Sequence, residues 1–388
     1  MATVDAFNYL KEEATEWRRY LHRNPELGYE LRNTARFVAE KLASFGINHI
    51  ETNIAETGVV ALIQGEGGEG PTIALRADMD ALPILEASCK PWASESPGKM
   101  HGCGHDGHTA MLLGAAKHLA STRCFKGAVA LIFQPAEEIL PSGALRMIKE
   151  GIMERFGITQ VFGMHNGPGI EIGKFGICHG PILASLDDFD LVVSGKGGHA
   201  AKPNETVDPV VIAAQVIFAL QTLVSRRTNP LESLVISITK LNAGTAYNVI
   251  PDVVQLGGTV RTYSSHLRDF AEKQILEVAR GIARASGGDA ELKYRRDCPV
   301  TFNNQKATHL AINAANAVVG QDFVNANMSP RMGSEDFAYM LEARPGAFMY
   351  IGNGPTAPLH NPAYDFSDEA LPFGIGYWVN LVEKTLAV

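Results

Sequence analysis

Cysteine is scarce in this sequence, with five residues (89, 103, 124, 178 and 298) in 388. An odd, scattered set in a long chain is no disulfide framework, so five buried thiols are expected, four of them (Cys89, Cys124, Cys178 and Cys298) in small apolar positions. Positive charge is also short. The 34 Lys and Arg are outnumbered by 42 Asp and Glu, giving a formal net charge of -8, whereas a nucleic-acid binder needs clustered cations for phosphate. Long apolar runs are missing too: the longest, Pro209 to Val224, is interrupted by Gln215 and Gln221 and falls short of the roughly 20 residues a bilayer span requires. No membrane partner is expected. The first residues, MATVDAFNYLKEEATEWRRYLHRNPELG, lack a basic stretch followed by an apolar one, so no secretory signal is expected and the cytoplasm is the expected location. Gly (38) and Pro (20) are too few for a disordered or collagen-like chain, and no segment repeats.

What is present is an ordinary globular composition, 46% hydrophobic and 20% charged, over a length that suggests about two domains. After a helical pattern over residues 5–44, short apolar strands (58–64, 71–77, 127–133 and 159–164) alternate with helices (108–121 and 142–151). That rhythm predicts a mostly parallel sheet covered on both faces. From about Ser185 it changes to strand 187–194, helix 208–225, strands 232–241 and 252–263, helix 265–286 and strand 289–297. This β-α-β-β-α-β order predicts a ferredoxin-like α+β unit. The α/β pattern then resumes with helices 305–318, 334–343 and 367–386 and strand 347–351. The expected organisation is a discontinuous α/β catalytic domain, 1–184 and 298–388, with 185–297 inserted for substrate binding and dimerisation.

The densest polar cluster is Met100-His101-Gly102-Cys103-Gly104-His105-Asp106-Gly107-His108, directly before an apolar helical run. Glycines between metal-capable side chains let them converge on one turn. Other candidates follow predicted strands: Asp78 and Asp80, Glu137 and Glu138, His165, and His360. In an open α/β sheet, ligands gather outside the carboxyl ends of the strands. Adjacent carboxylates at a buried edge repel unless cations or protons are supplied, and a mixed N, O and S donor set suits zinc or a similar transition ion.

His22-Arg23-Asn24-Pro25-Glu26-Leu27, Ala77-Asp78-Met79-Asp80-Ala81-Leu82-Pro83, the Cys103/His105 block, Gln134-Pro135-Ala136-Glu137-Glu138, Gly163-Met164-His165-Asn166, Gly333-Ser334-Glu335-Asp336-Phe337 and Leu359-His360-Asn361 stand in this order. Together they resemble the two-metal amidohydrolases of the aminoacylase and carboxypeptidase superfamily, in the branch of hippurate hydrolases, N-acyl-amino-acid deacylases and indole-acetyl-amino-acid hydrolases. The resemblance spans essentially the whole chain. It implies two divalent ions (Zn, Mn, Co or Ni) held by Cys103, His105, Glu138, His165 and His360, with Glu137 as general base. Other branches use a His where this chain has Asp78 and bridge their metals with an Asp, which implies the bridge for Cys103 and leaves the task of Asp78 open. Asp80 is read as an acceptor that orients a ligand histidine. In the inserted domain the resemblance implies His199 as oxyanion donor across a dimer, and Asn248 and Arg261 as holders of the substrate carboxylate.

The reaction so implied is hydrolysis of N-acyl or N-aroyl amino acids, with a metallo-dipeptidase or carboxypeptidase as the alternative. A thiol hydrolase using Cys103 and His105 would leave Glu137, Glu138, His165 and His360 without a task. A non-catalytic scaffold would not need the full set. The expected partners are a small-molecule substrate and a second copy of the chain, as a homodimer or higher homo-oligomer.

Overall fold

The computed structural model describes residues 4–388, which divide into two compact units. The first runs to Ile182 and includes Phe302–Ser329 and Asp336–Val388; the second comprises Leu183–Thr301 and Pro330–Glu335. The segment Pro330–Glu335, read above as part of the catalytic stretch 298–388, groups with the second unit. Its Arg331 and Gly333 carbonyls accept from the Ala184 N–H at 3.2 and 2.9 Å.

The first unit is built on an eight-stranded mixed sheet with a parallel centre. Its order is His49–Ile54, Gly58–Gln64, Ala128–Gln134, Thr72–Asp78, Ile158–Gly167, Gly346–Gly352, Phe175–Gly176 and Val324–Asn325. The four central strands, from Ala128–Gln134 to Gly346–Gly352, pair in parallel. Two of them, AVALIFQ and GAFMYIG, are buried along their whole length, as a sheet covered on both faces requires. The edge strand His49–Ile54 was not legible in the sequence. Its HIETNI pattern is polar and mostly exposed, which is how edges avoid pairing with other chains. Registers place Asp78 beside Gln134 and His165 beside Tyr350, so four strand ends meet at one edge.

The helix His105–Thr122 begins at that edge and packs on Thr72–Asp78 and on the C-terminal helix Leu371–Thr385. Nearly every residue in its first three turns is buried, so no polar face marks it and only its apolar content signals it.

The second unit contains a four-stranded antiparallel sheet in the order Leu234–Ala243, Val253–Thr262, Leu186–Ser194, Asp289–Cys298, with helices Pro209–Thr222 and Ser265–Ala285. In Leu186–Ser194 buried and half-exposed residues alternate, so Asp187, Phe189, Leu191 and Val193 share the inner face. The helix from Pro209 continues as a π-helical turn to Arg227, and this 19-residue stretch is long and apolar enough by composition to cross a membrane. The helix read from the sequence over 208–225 ends two residues short of this continuation. Ile212, Val216, Leu220 and Leu223 pack into the core of the unit, while Val211 and Phe218 are exposed.

Asp187 is the polar member of that inner face. It is fully buried and accepts from Arg268 Nε (2.8 Å) and Tyr294 Oη (2.8 Å), tying its strand to the helix Ser265–Ala285 and the strand Asp289–Cys298. Removing one partner of a buried pair leaves the other charge uncompensated. Asp187→Ala should lower unfolding stability by about 3 kcal/mol, read from the midpoint of a urea titration.

Candidate metal centre

The carboxyl ends of the central strands deliver the candidate ligands. Asp78 ends Thr72–Asp78, Glu137 and Glu138 follow Ala128–Gln134, His165 lies near the end of Ile158–Gly167, and His360 lies in the loop after Gly346–Gly352. Gly104 caps the helix that carries His105 with φ +91°, and a Cβ there would strike the Asn166 and Tyr364 side chains. Only glycine fits. Two non-glycine residues beside the ligands, Ala136 (φ 54°) and His360 (φ 63°), also occupy the left-handed region, a local cost that packing elsewhere must offset.

Two triads meet at one sulfur. Donor atoms of Cys103, His105 and His165 lie within 4.8 Å of one another, and so do those of Cys103, Glu138 and His360; a third group joins His105 to Glu137 and Glu138. Cys103 Sγ is 3.4 Å from His165 Nε2, and His360 Nε2 is 3.3 Å from Glu138 Oε1. The imidazoles are aimed by their far nitrogens. His165 Nδ1 donates to the Asn166 carbonyl (2.7 Å) and His105 Nδ1 to the Asp80 carbonyl (2.8 Å), which turns each Nε2 toward the cluster. Asp80 meets His105 through its main-chain carbonyl and, at 3.5 Å, through Oδ1 of its side chain. Its carboxylate serves the paired glutamates, accepting from the Glu137 N–H (3.0 Å) and the Glu138 N–H (3.1 Å).

The electrostatics call for positive charge. Burial alone would lower the pKa of His105, but Asp78, Asp80 and Glu138 override it and raise it to about 10. Burial and the Glu138, Glu137 and Asp78 carboxylates push the Cys103 thiol well above its usual value. Such a thiol is a poor nucleophile, which disfavours the thiol-hydrolase reading. Burial and the neighbouring His108 hold His165 well below the usual histidine value, so its ring is neutral. His105 Nε2 is buried without a hydrogen-bond partner, and Glu138 Oε1 has an ion-pair contact to His360 Nε2. A cluster of carboxylates, imidazoles and one thiol, with a buried imidazole nitrogen left unsatisfied, fits divalent metal ions of borderline softness.

Around the ligands lies a layer that sequence reasoning largely missed. Arg76, 2% exposed, donates to Asp78 Oδ2 (2.6 Å), Gln134 Oε1 (2.9 Å) and Asp336 Oδ1 (2.9 Å). Asn166 Nδ2 donates to the Cys103 carbonyl (2.6 Å), and Tyr364 Oη donates to Asn166 Oδ1 (2.7 Å). Arg76 and Tyr364 sit outside any metal-like spacing, and no local pattern distinguishes them from core residues. His22 was visible in its motif without a task. In the structure its Nδ1 bonds Asp106 (2.8 Å) and its Nε2 faces Glu86 (3.2 Å), fastening the first helix to the start of the helix that carries His105.

The remaining sequence candidates lie in the second unit. His199, on the two-residue strand Gly198–His199, is exposed and pairs with Val249; the Asn248 carbonyl accepts from the Ala200 N–H at 3.0 Å. His199 and Asn248 are thus neighbours. Arg261 is partly buried in Val253–Thr262 and donates to Ser334 Oγ at 3.2 Å, in the segment Pro330–Glu335.

Residues 74–384 match the model of peptidase family M20/M25/M40, and the chain belongs to that family. It is 42% identical to the N-acetylcysteine deacetylase of Bacillus subtilis, covering 94% of each chain. It is 41% identical to the hippurate hydrolase of Campylobacter jejuni, covering 97% of each. Among solved structures it resembles a Bacillus subtilis protein described as a dinuclear metal-binding peptidase of family M20, with a TM-score of 0.87 and 36% identity, covering 98% of this chain and 99% of that one.

The His22 cluster sets a pH dependence. Burial would lower the pKa of His22, but the charge and hydrogen bond of Asp106, with Glu86, raise it to about 9. A raised folded-state pKa stabilises fully below the unfolded value of about 6.5, and that contribution is lost as pH rises through the folded value. The stability advantage of the wild type over His22→Gln should shrink steadily between pH 6.5 and about pH 9. A difference that stays constant across this range in chemical denaturation would contradict the assignment.

Proposed function

We propose that the chain is a metal-dependent amidohydrolase that cleaves N-acyl or N-aroyl amino acids to a carboxylic acid and a free amino acid. The observation that carries this reading is the sharing of Cys103 between two donor triads with Glu137 alongside. The deacetylase and hippurate hydrolase among its relatives support the substrate class. Cys103, His105, Glu138, His165 and His360 would hold two divalent ions, and zinc, manganese, cobalt or nickel suits these donors.

Such ions supply Lewis-acid polarisation of the scissile carbonyl and a water acidified toward a pKa of about 7. The chain's own groups do the rest. Glu137 takes a proton from the attacking water and returns it to the leaving nitrogen, since an amine leaves poorly as an anion. Asp80 holds the Glu137–Glu138 backbone by two N–H bonds, which fixes the base. His199 accepts the Ala201 N–H on Nδ1 at 3.1 Å, so its Nε2 carries a proton and is a donor suited to a developing oxyanion. Arg261 and Asn248 take the substrate carboxylate, for which a guanidinium fork is well shaped.

The β-α-β-β-α-β order of the second unit is read as a ferredoxin-like domain inserted for substrate binding and association. Val211 and Phe218 on its helix and Leu241 on its edge strand are exposed, and they support a homodimer or higher homo-oligomer. A cytoplasmic location suits an oxidisable thiol at the centre.

Hippurate, N-acetyl amino acids, indole-acetyl conjugates and dipeptides, offered to protein loaded with zinc, manganese or cobalt, test the reading. Amino-acid release from the first three classes, abolished by EDTA and restored by metal, is expected. Release only from substrates with a free amino group would favour a dipeptidase. Glu137→Gln should lower kcat by roughly two to four decades with metal content unchanged, measured by single-turnover kinetics and atomic absorption.

A further inference from the structure

Asp78 and His108 are buried at the centre yet take no part in the ligand set, although they lie close enough to His105 to suggest a metal triad of their own. Their hydrogen bonds point to a different task. His108 Nδ1 lies 2.6 Å from Asp78 Oδ1, and His108 Nε2 lies 3.0 Å from the Asn166 main-chain nitrogen. A peptide N–H can only donate, so Nε2 holds the lone pair and the ring proton sits on Nδ1, directed at Asp78. The second oxygen of Asp78 is taken by Arg76 at 2.6 Å. Both nitrogens of His108 are occupied, and each oxygen of Asp78 already accepts a strong hydrogen bond, so the pair is engaged with its own neighbours.

The same bonds lead toward the ligands. The Asn166 N–H binds His108, the Asn166 carbonyl receives His165 Nδ1 at 2.7 Å, and Asn166 Nδ2 donates to the Cys103 carbonyl at 2.6 Å. We propose that Arg76, Asp78 and His108 form a positioning relay: the buried guanidinium fixes the carboxylate, the carboxylate fixes the tautomer and tilt of His108, and His108 anchors the Asn166 peptide that aims His165. This gives Asp78 a task where other branches of the superfamily place a histidine. An Asp whose oxygens are both spent on Arg76 and His108 orients a ligand that lies on a different strand. The relay rests on the reading of His165 and Cys103 as ligands, so its test must separate the two.

Metal-free protein is titrated with Co²⁺ against a chromophoric chelator. The ligand-field bands and the thiolate-to-cobalt charge-transfer band are recorded in parallel for the wild type, His108→Leu, His108→Gln, Asp78→Asn and His165→Ala. His108→Leu and Asp78→Asn should weaken one of the two sites about ten- to hundredfold and shift the ligand-field bands, while both ions still bind at saturating cobalt. His108→Gln, whose Oε1 can accept the Asn166 N–H, should recover most of the loss. Complete loss of an ion in His108→Leu or Asp78→Asn, matching His165→Ala, would make these residues ligands and overturn the relay. Wild-type affinity and spectra in both variants would overturn it as well, leaving the ligand reading intact. Should His108→Leu fail to fold, Asp78→Asn compared with His108→Gln carries the test, with the same ordering required. Two ions bound at wild-type affinity by His165→Ala would overturn the ligand reading, and the relay with it.

Discussion

The structure depends on confining several carboxylates at one dry edge of a sheet. Asp78 and Asp80 are buried, and Glu137 and Glu138 are nearly so. Two like charges 4 Å apart cost about 4 kcal/mol at the effective dielectric of a protein surface, so such a group persists only with compensation. Arg76 provides one permanent charge from beneath, bonded to Asp78 and Asp336. Two backbone N–H groups answer Asp80. The demand that remains is directed at His105, whose raised pKa reports it. In the proposed reading, divalent ions meet that demand.

Confinement also explains the local backbone. A parallel strand ends with its side chains already committed to one side or the other, so donors from neighbouring strands converge only where the chain turns sharply. Ala136 turns ahead of the glutamates, Gly104 ahead of His105, and His360 sits in the left-handed region itself. None of these conformations is favourable alone. Each is held by packing or hydrogen bonds nearby: Asp80 fixes the glutamate turn, and Asn166 and Tyr364 close over Gly104.

The sequence is most legible where the donors themselves sit, and least legible in what orients them. The Gly-spaced His and Cys block, the paired glutamates and the strand-end histidines carry their chemistry in residue type and spacing. The central strands are equally plain, because a strand buried on both faces has an unbroken apolar run. The supporting layer is silent for a physical reason: Arg76 lies inside the apolar strand TIALRAD, Tyr364 in an irregular loop, and Asn166 beside a histidine that draws the attention. Their value comes from contacts tens or hundreds of residues away, such as Arg76 with Asp336 and Tyr364 with Asn166, and no local pattern encodes those. Polar edge strands such as His49–Ile54 are hidden for the opposite reason, since the polarity that protects an edge makes it look like a loop.

Cys103 shows how setting, more than residue type, decides chemistry. Of the five free cysteines, all expected to be buried, Cys103, Cys178 and Cys298 are, whereas Cys89 and Cys124 lie exposed in loops, which run over the surface. Cys298 donates its thiol to the Glu335 carbonyl at 3.2 Å and Cys178 to the Pro181 carbonyl at 3.5 Å, as satisfied thiols do. Cys103 is ringed by carboxylates that oppose its ionisation, and it faces a histidine held neutral by burial. Burial weakens His165 as a base, and His105 is already held protonated by its carboxylates. The same carboxylates oppose a thiolate, so neither histidine takes the thiol proton as a thiol hydrolase requires. Only a cation in contact with sulfur makes the thiolate the stable form there, as coordinating metals do. The carboxylates that forbid Cys103 a nucleophile's task are the ones that would draw such a cation to it.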